Sequence, residues 1–401
     1  MSVYNNDGCL FLLSLETQGI KLGLKRTQDL LNICNNPEEK IKSIQIVGTN
    51  GKGSTASSLS SILEQKELKV GLYTSPHLVK LHERIQINRR HITDHYIDKF
   101  IKIYHQNIIN LSCTFFEVMT VIAVKYFADN NVDVAILETG LGGQFDSVTA
   151  CKPSLQLFTS ISKDHMHILG ETIDEITTEK AKAIQPNTPC ISVNQTDSIK
   201  NILNYFAEQN NTSIMYNDDV FDQLPVIPLL GEHQKENIHL AIKAAQHLIN
   251  ISSNDIIKGI KNIYWPGRNQ IIHHAPTIIF DVSHNESSLI AFTKSMKTLD
   301  VKGEKILLIS LQKTKIINKA ISHLVSYFDK IICVSINDRM YTTTNLAKLF
   351  NSFKDIEISD NPNHIIDETV QNLKRDDLFA IVGSHYWGAF IQKSFKNSLV
   401  S

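Results

Sequence analysis

A glycine-rich turn between a strand-like run and a helix-like run constrains this chain more than any other feature. Gly48, Thr49, Asn50, Gly51, Lys52, Gly53, Ser54 and Thr55 follow apolar Ile44, Ile46 and Val47. Ala56, Leu59, Ile62 and Leu63 come next at helical spacing. A buried strand that turns tightly into a helix belongs to parallel α/β architecture. Three glycines let the turn close and leave backbone N–H groups bare, while the helix aims its positive end at the same spot. Lys52 adds a mobile cation, and Ser54 or Thr55 a hydroxyl for magnesium, so the turn reads as a triphosphate cradle. Only Thr49 and Asn50 separate the first glycine from Gly51-Lys52, a shorter gap than in the ordinary phosphate loop. A glycine turn that merely connects strand to helix seldom carries glycine, lysine, glycine and hydroxyl together.

Strand-like runs alternate with helical patterns almost throughout, the mark of parallel sheets covered by helices. The pattern predicts strands at 44–47, 70–73, 132–137, 155–160 and 190–193. A second series follows at 277–280, 305–309, 330–334 and 378–382, with helices at 287–297, 316–328, 344–350 and 365–373. Trp265-Pro266-Gly267-Arg268 interrupts both periodicities, so the expected division is a domain over 1–266 that carries the triphosphate turn and a C-terminal domain over 267–401. A chain of 401 residues exceeds one ordinary core. No fixed-period repeat or low-complexity tract is present.

With 40 basic and 41 acidic side chains the formal charge is −1. No bulk field recommends nucleic acid or an anionic membrane, and phosphate specificity must be local. Cys9, Cys34, Cys113, Cys151, Cys190 and Cys333 form no C-x-x-C pair, which argues against a disulfide framework and a cysteine zinc site and for reduced cytosolic thiols. The apolar run 9–15 lacks a basic leader and reads as the start of a helix. No segment approaches the length needed to span a bilayer.

In open parallel sheets ligands sit beyond the carboxyl ends of strands. Polar residues in that position are Ser75 and His77 after the second strand, Glu138 after the third, and Asp164 with His165 after the fourth. Glu138 resembles the strand-end carboxylate that holds magnesium, or is a solvated strand end. His165 and His167 suggest zinc only weakly, with no cysteine or third histidine near in sequence, and an isolated histidine is more often a loop residue. Lys180 and Lys182 sit in a helical stretch whose lysines would ordinarily be solvated. Residues 230–237 open an amphipathic helix running to 249, and its polar first turn could meet a base or cap the helix. In the second series Asp281, His284 and Asn285 follow a strand, with Arg268 just before it. Arg268 could support phosphate charge in a transition state or simply pair with Asp281.

Taken in order, these segments resemble the folylpolyglutamate synthase and dihydrofolate synthase family, within the Mur-type ATP-dependent amide ligases. The resemblance covers nearly the whole chain. Its stretches are Gly-Leu-Lys-Arg near residue 23, residues 48–55, 74–78 with Glu83-Arg84-Ile85, and Phe115-Phe116-Glu117. They continue through 138–146, Asp164-His165, Leu169-Gly170, Glu179-Lys180-Ala181, 231–237, Pro266-Gly267-Arg268 and 281–285.

The resemblance implies a three-layer P-loop ATPase domain of the Mur ligase central-domain type, followed by a smaller Rossmann-like α/β domain. It implies ATP and Mg2+, and a cytoplasmic monomeric enzyme joining L-glutamate to dihydropteroate or folate through an acyl phosphate. Lys52 and the loop amides would hold ATP phosphates; Ser75, Glu138 and His165 would ligate magnesium. Lys180 matches a lysine that the family carbamylates. Asn237 and Arg268 match ATP contacts, Asp281 and His284 match residues beside nucleotide and incoming glutamate, and Asp146 and Asn285 fall with the substrate. Lys52, Lys180, His165 and Arg268 are thus the catalytic candidates. Two stretches depart: Gln144-Phe145-Asp146-Ser147-Val148-Thr149 replaces Arg-Leu-Asp-Ala-Thr-Asn, and Thr314-Lys315-Ile316 replaces Asp-Lys-Asp. These changes touch the pterin side and leave the ATP and magnesium apparatus intact. The alternatives are a paralogue that binds ATP but not pterin, and another P-loop phosphotransferase.

Overall fold

The computed structural model describes residues 6–396 and 399, apart from 20, 218–223, 352 and 354. Its first sheet contains β1 (Ser43–Val47), β2 (Val70–Tyr73), β3 (Ile85–Ile87), β4 (Arg90–His91), β5 (Val134–Glu138), β6 (Leu155–Phe158), β7 (Cys190–Ser192) and β8 (Ile214–Tyr216). The spatial order is β4-β3-β2-β5-β1-β6-β7-β8. Pairing is parallel from β2 to β8 and antiparallel through β3 and β4. Central strands β1, β2, β5 and β6 are buried along their length, which is why they read as continuous apolar runs: both faces are covered.

Tyr73, Ala135 and Leu137 face a core shared with helices Lys25–Ile33, Asp94–Asn110 and Phe115–Asp129. Against the other face lies helix Lys52–Leu63, buried from Gly53 onward. A helix buried on nearly all sides needs small residues, and its serines discharge their hydroxyls locally: Ser58 donates to the Ser54 carbonyl at 2.7 Å and Ser61 to the Gly259 carbonyl at 2.7 Å. Helix Ser253–Lys261 packs outside it, so closely that a Cβ on Gly259 would stand 2.6 Å from Ile62 Cα. The layers are therefore helix, sheet, helix.

The second sheet contains β9 (Gln270–His274), β10 (Thr277–Asp281), β11 (Lys305–Ile309), β12 (Lys330–Val334), β13 (Ile356–Ser359) and β14 (Leu378–Val382), ordered β13-β12-β11-β14-β10-β9. Only β9 runs antiparallel among these described strands. Ile279, Leu307, Ile331, Leu378 and Ala380 pack with Leu289 and Phe292 of helix Glu286–Met296 and with Leu324 and Leu346.

The chain forms two units that interleave in sequence. One holds the residues up to Ser162, Leu169–Val226 and Glu236–Ile263; the other holds Lys163–Ile168, Ile227–Lys235 and the residues from Tyr264 onward. Two loops inside 1–266 thus pack with the later sheet. Asn269, for example, donates its side-chain amide to the Leu230 carbonyl at 2.8 Å.

The sequence reading did not include β3, β4, β8, β9 or β13. Each is short or poorly buried; β4 and β9 carry no apolar run or clean alternation, and the apolar stretch in β8 and the alternation in β3 and β13 are too brief to announce a strand. The hairpin between β3 and β4 turns on Asn88 and Arg89, both at positive φ. All six cysteines are free and buried. Among the described residues no helix is long and apolar enough to cross a membrane.

Candidate active site

The glycine turn is tied into the tips of neighbouring strands. Thr49 and Asn50 amides donate to the Ser160 carbonyl just beyond β6, at 2.9 and 3.3 Å. Gly48 has φ 156°, and a Cβ there would lie 1.9 Å from Thr159 Oγ1. Gly51 sits at φ 86° as N-cap of helix Lys52–Leu63, where a Cβ would lie 2.1 Å from Asn237 Oδ1. Only glycine fits both the left-handed backbone and the contact. Gly51 also brings no capping side chain, so the first-turn amides of Lys52, Gly53 and Ser54 and the helix dipole are available to an anion. Thr55 Oγ1 is buried without a hydrogen-bond partner among the described residues. Uncapped amides and an orphan hydroxyl fit a bound phosphate group.

Two lysines converge on this turn. Lys52 Nζ donates to the carbonyls of Gly48 and Thr49 at 3.2 and 3.1 Å. Lys180, 4% exposed, donates to the Gly48 carbonyl at 2.8 Å. The ordinary expectation of a solvated lysine holds for Lys182, which is exposed, and fails for Lys180. The cause is Gly143: a Cβ there would stand 2.7 Å from the Lys180 carbonyl oxygen, so only glycine lets helix Ile173–Ala181 approach this closely.

Glu138 closes the other side. Ile46 of β1 is in register with Glu138 at the end of β5, and the buried Glu138 carboxylate accepts from the Ser75 amide at 2.9 Å. Ser75 follows β2, so one carboxylate gathers two strand tips beside the turn. A carboxylate and a serine are hard oxygen donors of the kind magnesium takes. Glu83 stabilises the following loop by accepting amides of Leu78, Val79 and Lys80 at 2.7, 3.0 and 2.6 Å. Arg26 pairs with buried Glu117 at 2.8 Å, so two of the sequence stretches that carry the resemblance meet in one ion pair.

Asp146 serves its own loop. Its carboxylate accepts amides from Gly140, Leu141 and Val148 at 2.8, 2.9 and 3.0 Å. Burial pushes its pKa up to about 6, although those amides and Lys52 oppose the shift. The altered stretch around it is largely interior: Val148 is fully buried, and Thr149 donates to the Gly143 carbonyl at 2.7 Å. Only Gln144 and Phe145 of this stretch keep appreciable exposure.

The remaining candidates belong to the second unit, where Asp164 is the hub. Lys315 Nζ donates to Asp164 Oδ1 at 2.6 Å and Asn285 Nδ2 to Oδ2 at 3.0 Å, while His284 Nε2 stands 3.6 Å from Oδ2. His165, at φ 49°, has Nε2 3.4 Å from Lys315 Nζ. Burial alone would raise the Asp164 pKa, but His284, Lys315 and His165 overcome it and hold the carboxyl far below its usual range. Asp281 ends β10 and accepts amides of Asn269 and Ser283 at 2.6 and 2.7 Å; Arg268 donates to the Gly267 carbonyl at 3.1 Å. Asn285 also caps helix Glu286–Met296. Burial pushes the His233 pKa down, with Asp281 opposing and Arg268 assisting. Sequence reasoning placed Asp164 at a strand tip without seeing it as a hub, and gave no individual role to Lys315 or His233, although Lys315 is the one residue kept in an altered motif.

Comparison with known proteins follows this geometry. The Mur ligase middle domain model matches residues 46–224, and the Mur ligase glutamate ligase domain model matches 267–385. The dihydrofolate synthase/folylpolyglutamate synthase of Bacillus subtilis (strain 168) is 30% identical, across 94% of this chain and 96% of its own. The enzyme of the same name from Escherichia coli (strain K12) is 28% identical, across 96% and 93%. A solved Escherichia coli FolC complex with DHPP and ADP is 26% identical, with TM-score 0.87 over 97% of this chain and 98% of that one. Domain models, full-length relatives and fold agree, and the chain belongs to the dihydrofolate synthase/folylpolyglutamate synthase family of Mur-type ligases.

Proposed function

We propose that this chain is a cytoplasmic, monomeric ligase that uses ATP and magnesium to join L-glutamate to dihydropteroate, to reduced folates, or to both. The observation that carries the proposal is the uncapped helix start at Gly51, with Lys52 and Lys180 at one carbonyl and Glu138 at the adjoining strand tip.

A carboxylate is a poor electrophile, so its oxygen first attacks the terminal phosphorus of ATP and ADP departs. The glutamate amine then attacks the acyl carbon, loses a proton, and phosphate leaves as the amide forms. Chain residues supply position and charge for both steps. The amides of Lys52, Gly53 and Ser54 hold phosphate oxygens, and Lys52 turns its ammonium from the loop carbonyls toward them. Asn237 orients the nucleotide against Gly51. Ser75 and Glu138 would hold magnesium, and His165 is the further ligand that the family resemblance implies. Magnesium, when bound, neutralises charge on the phosphate oxygens. Lys180 holds the Gly48 carbonyl; carbamylation, which the resemblance suggests, would exchange that donor for an anion. Arg268, Asp281, His284 and Asn285 are proposed for nucleotide and glutamate, and Asp146 as the residue that sets the loop facing the acceptor.

Radiolabelled glutamate incorporation, run separately with dihydropteroate and tetrahydrofolate, tests the proposal. An ATP-dependent amide product with either acceptor is expected. ATP consumption with phosphorylated acceptor and no amide, or ATP binding with no product from either acceptor, would overturn it.

A further inference from the structure

Three residues far apart in sequence bring unlike donor atoms to one point of the first unit. Cys9 lies on helix Asp7–Ser14, His82 on the turn Leu81–Arg84, and Asp94 opens helix Asp94–Asn110. Cys9 Sγ is 3.9 Å from His82 Nε2 and 3.6 Å from Asp94 Oδ1, and His82 Nε2 is 2.9 Å from Asp94 Oδ1. In a tetrahedral zinc shell, ordinary Zn–S, Zn–N and Zn–O bonds set such donors roughly 3.3–3.6 Å apart. The observed triangle needs only small adjustments, chiefly an opening of the histidine–aspartate contact.

The surroundings hold this triangle in place. Asp98, one turn after Asp94, spends its carboxylate on the Asn6 side chain at 2.7 Å and the Gly8 amide at 3.0 Å. That pins the first helix against the later one. A Cβ on Gly8 would stand 2.6 Å from Asp98 Oδ1, so glycine permits the approach. Asp94 is thereby left to face Cys9 and His82. The Cys9 side is buried, whereas the Asp94 side chain is 61% exposed, so an ion has an entry path and room for a water.

We infer that Cys9, His82 and Asp94 form a binding site for a thiophilic divalent cation of the zinc class, distinct from the magnesium site. Binding releases one proton from the Cys9 thiol to solvent, and the thiolate and carboxylate together neutralise the ion's two charges. Sulfur and imidazole donors select zinc-like ions over magnesium and calcium, which take oxygen. The bound ion would staple the first helix to the turn after β2 and to helix Asp94–Asn110. The absence of a C-x-x-C pair argued against a cysteine zinc site, but here the donors are separated by 73 and 12 residues.

Cobalt(II) is the probe. The full-length chain, stripped with chelator and dialysed under reducing conditions, is titrated with cobalt chloride while the near-ultraviolet thiolate charge-transfer band is followed. The expected result is a band that saturates at one equivalent, is abolished by zinc and survives magnesium. Cys9→Ser should lose the band, and Asp94→Asn, a change at an exposed side chain, should weaken cobalt binding roughly tenfold or more. Absence of the band in the wild-type chain, or an equal band in Cys9→Ser, would overturn the inference. If Cys9→Ser does not fold, the Asp94→Asn titration decides: unchanged affinity there overturns it as well.

Discussion

Lys52 and Lys180 reach the carbonyl of Gly48 from two helices, and their exposure separates their roles. Lys52 is half-buried and can leave its carbonyls for a phosphate, whereas Lys180 is enclosed. Lys52→Ala should therefore lower glutamate incorporation by roughly 100-fold or more, the scale of losing one pre-oriented charge donor. Near-wild-type turnover in that variant would contradict its phosphate role. Asp164 and Lys315 make a different prediction, because removing the lysine takes the ammonium from a mostly buried carboxylate and leaves it Asn285 and the neighbouring histidines. Lys315→Met should destabilise the fold by about 1–3 kcal/mol, read as a shift of the urea midpoint. Asp146 supplies a pH signature. Its folded pKa is raised to about 6 from 3.8, so the folded state binds the extra proton between those values. Its contribution to stability is complete below the unfolded pKa and is lost as pH rises through about 6. The stability difference between wild type and Asp146→Asn should therefore change across that window, and a flat difference would show that Asp146 is not perturbed.

At the level of elements, glycines decide which segments touch. Gly51→Ala forces a side chain into left-handed backbone and into Asn237. It should abolish the nucleotide-induced rise in melting temperature while leaving the far-ultraviolet circular dichroism spectrum intact. Retention of that rise would show that the turn tolerates a Cβ. Strands β11, β12 and β14 coincide with the expected 305–309, 330–334 and 378–382 because both of their faces are covered and the apolar run is unbroken. β9 was invisible for the opposite reason: Gln-Ile-Ile-His-His is partly exposed and shows neither a run nor an alternation. The glycine turn was legible since backbone freedom and one lysine mark it within a short stretch of sequence. Lys180 was singled out only by the resemblance; its burial was not legible, since Glu-Lys-Ala-Lys has the pattern of a wet helix face and that burial depends on Gly143, 37 residues away in sequence. Asp164 with Lys315 was hidden by a separation of 151 residues.

For the whole molecule, the two Mur ligase domain models match residues 46–224 and 267–385 in order, and two relatives align over more than nine tenths of both chains. The altered stretch 144–149 leaves the first unit's interior intact, because Thr149 and Val148 serve packing and only Gln144 and Phe145 retain exposure. Phe145→Ala should thus leave stability within about 0.5 kcal/mol, and any effect should fall on the acceptor KM. The central claim is that phosphate transfer at the glycine turn ends in an amide. Its most direct test is product analysis of one reaction containing ATP, magnesium, glutamate and a pterin acceptor. The account predicts one ADP and one phosphate released for each glutamate joined; nucleotide hydrolysis or acceptor phosphorylation without that amide would contradict it.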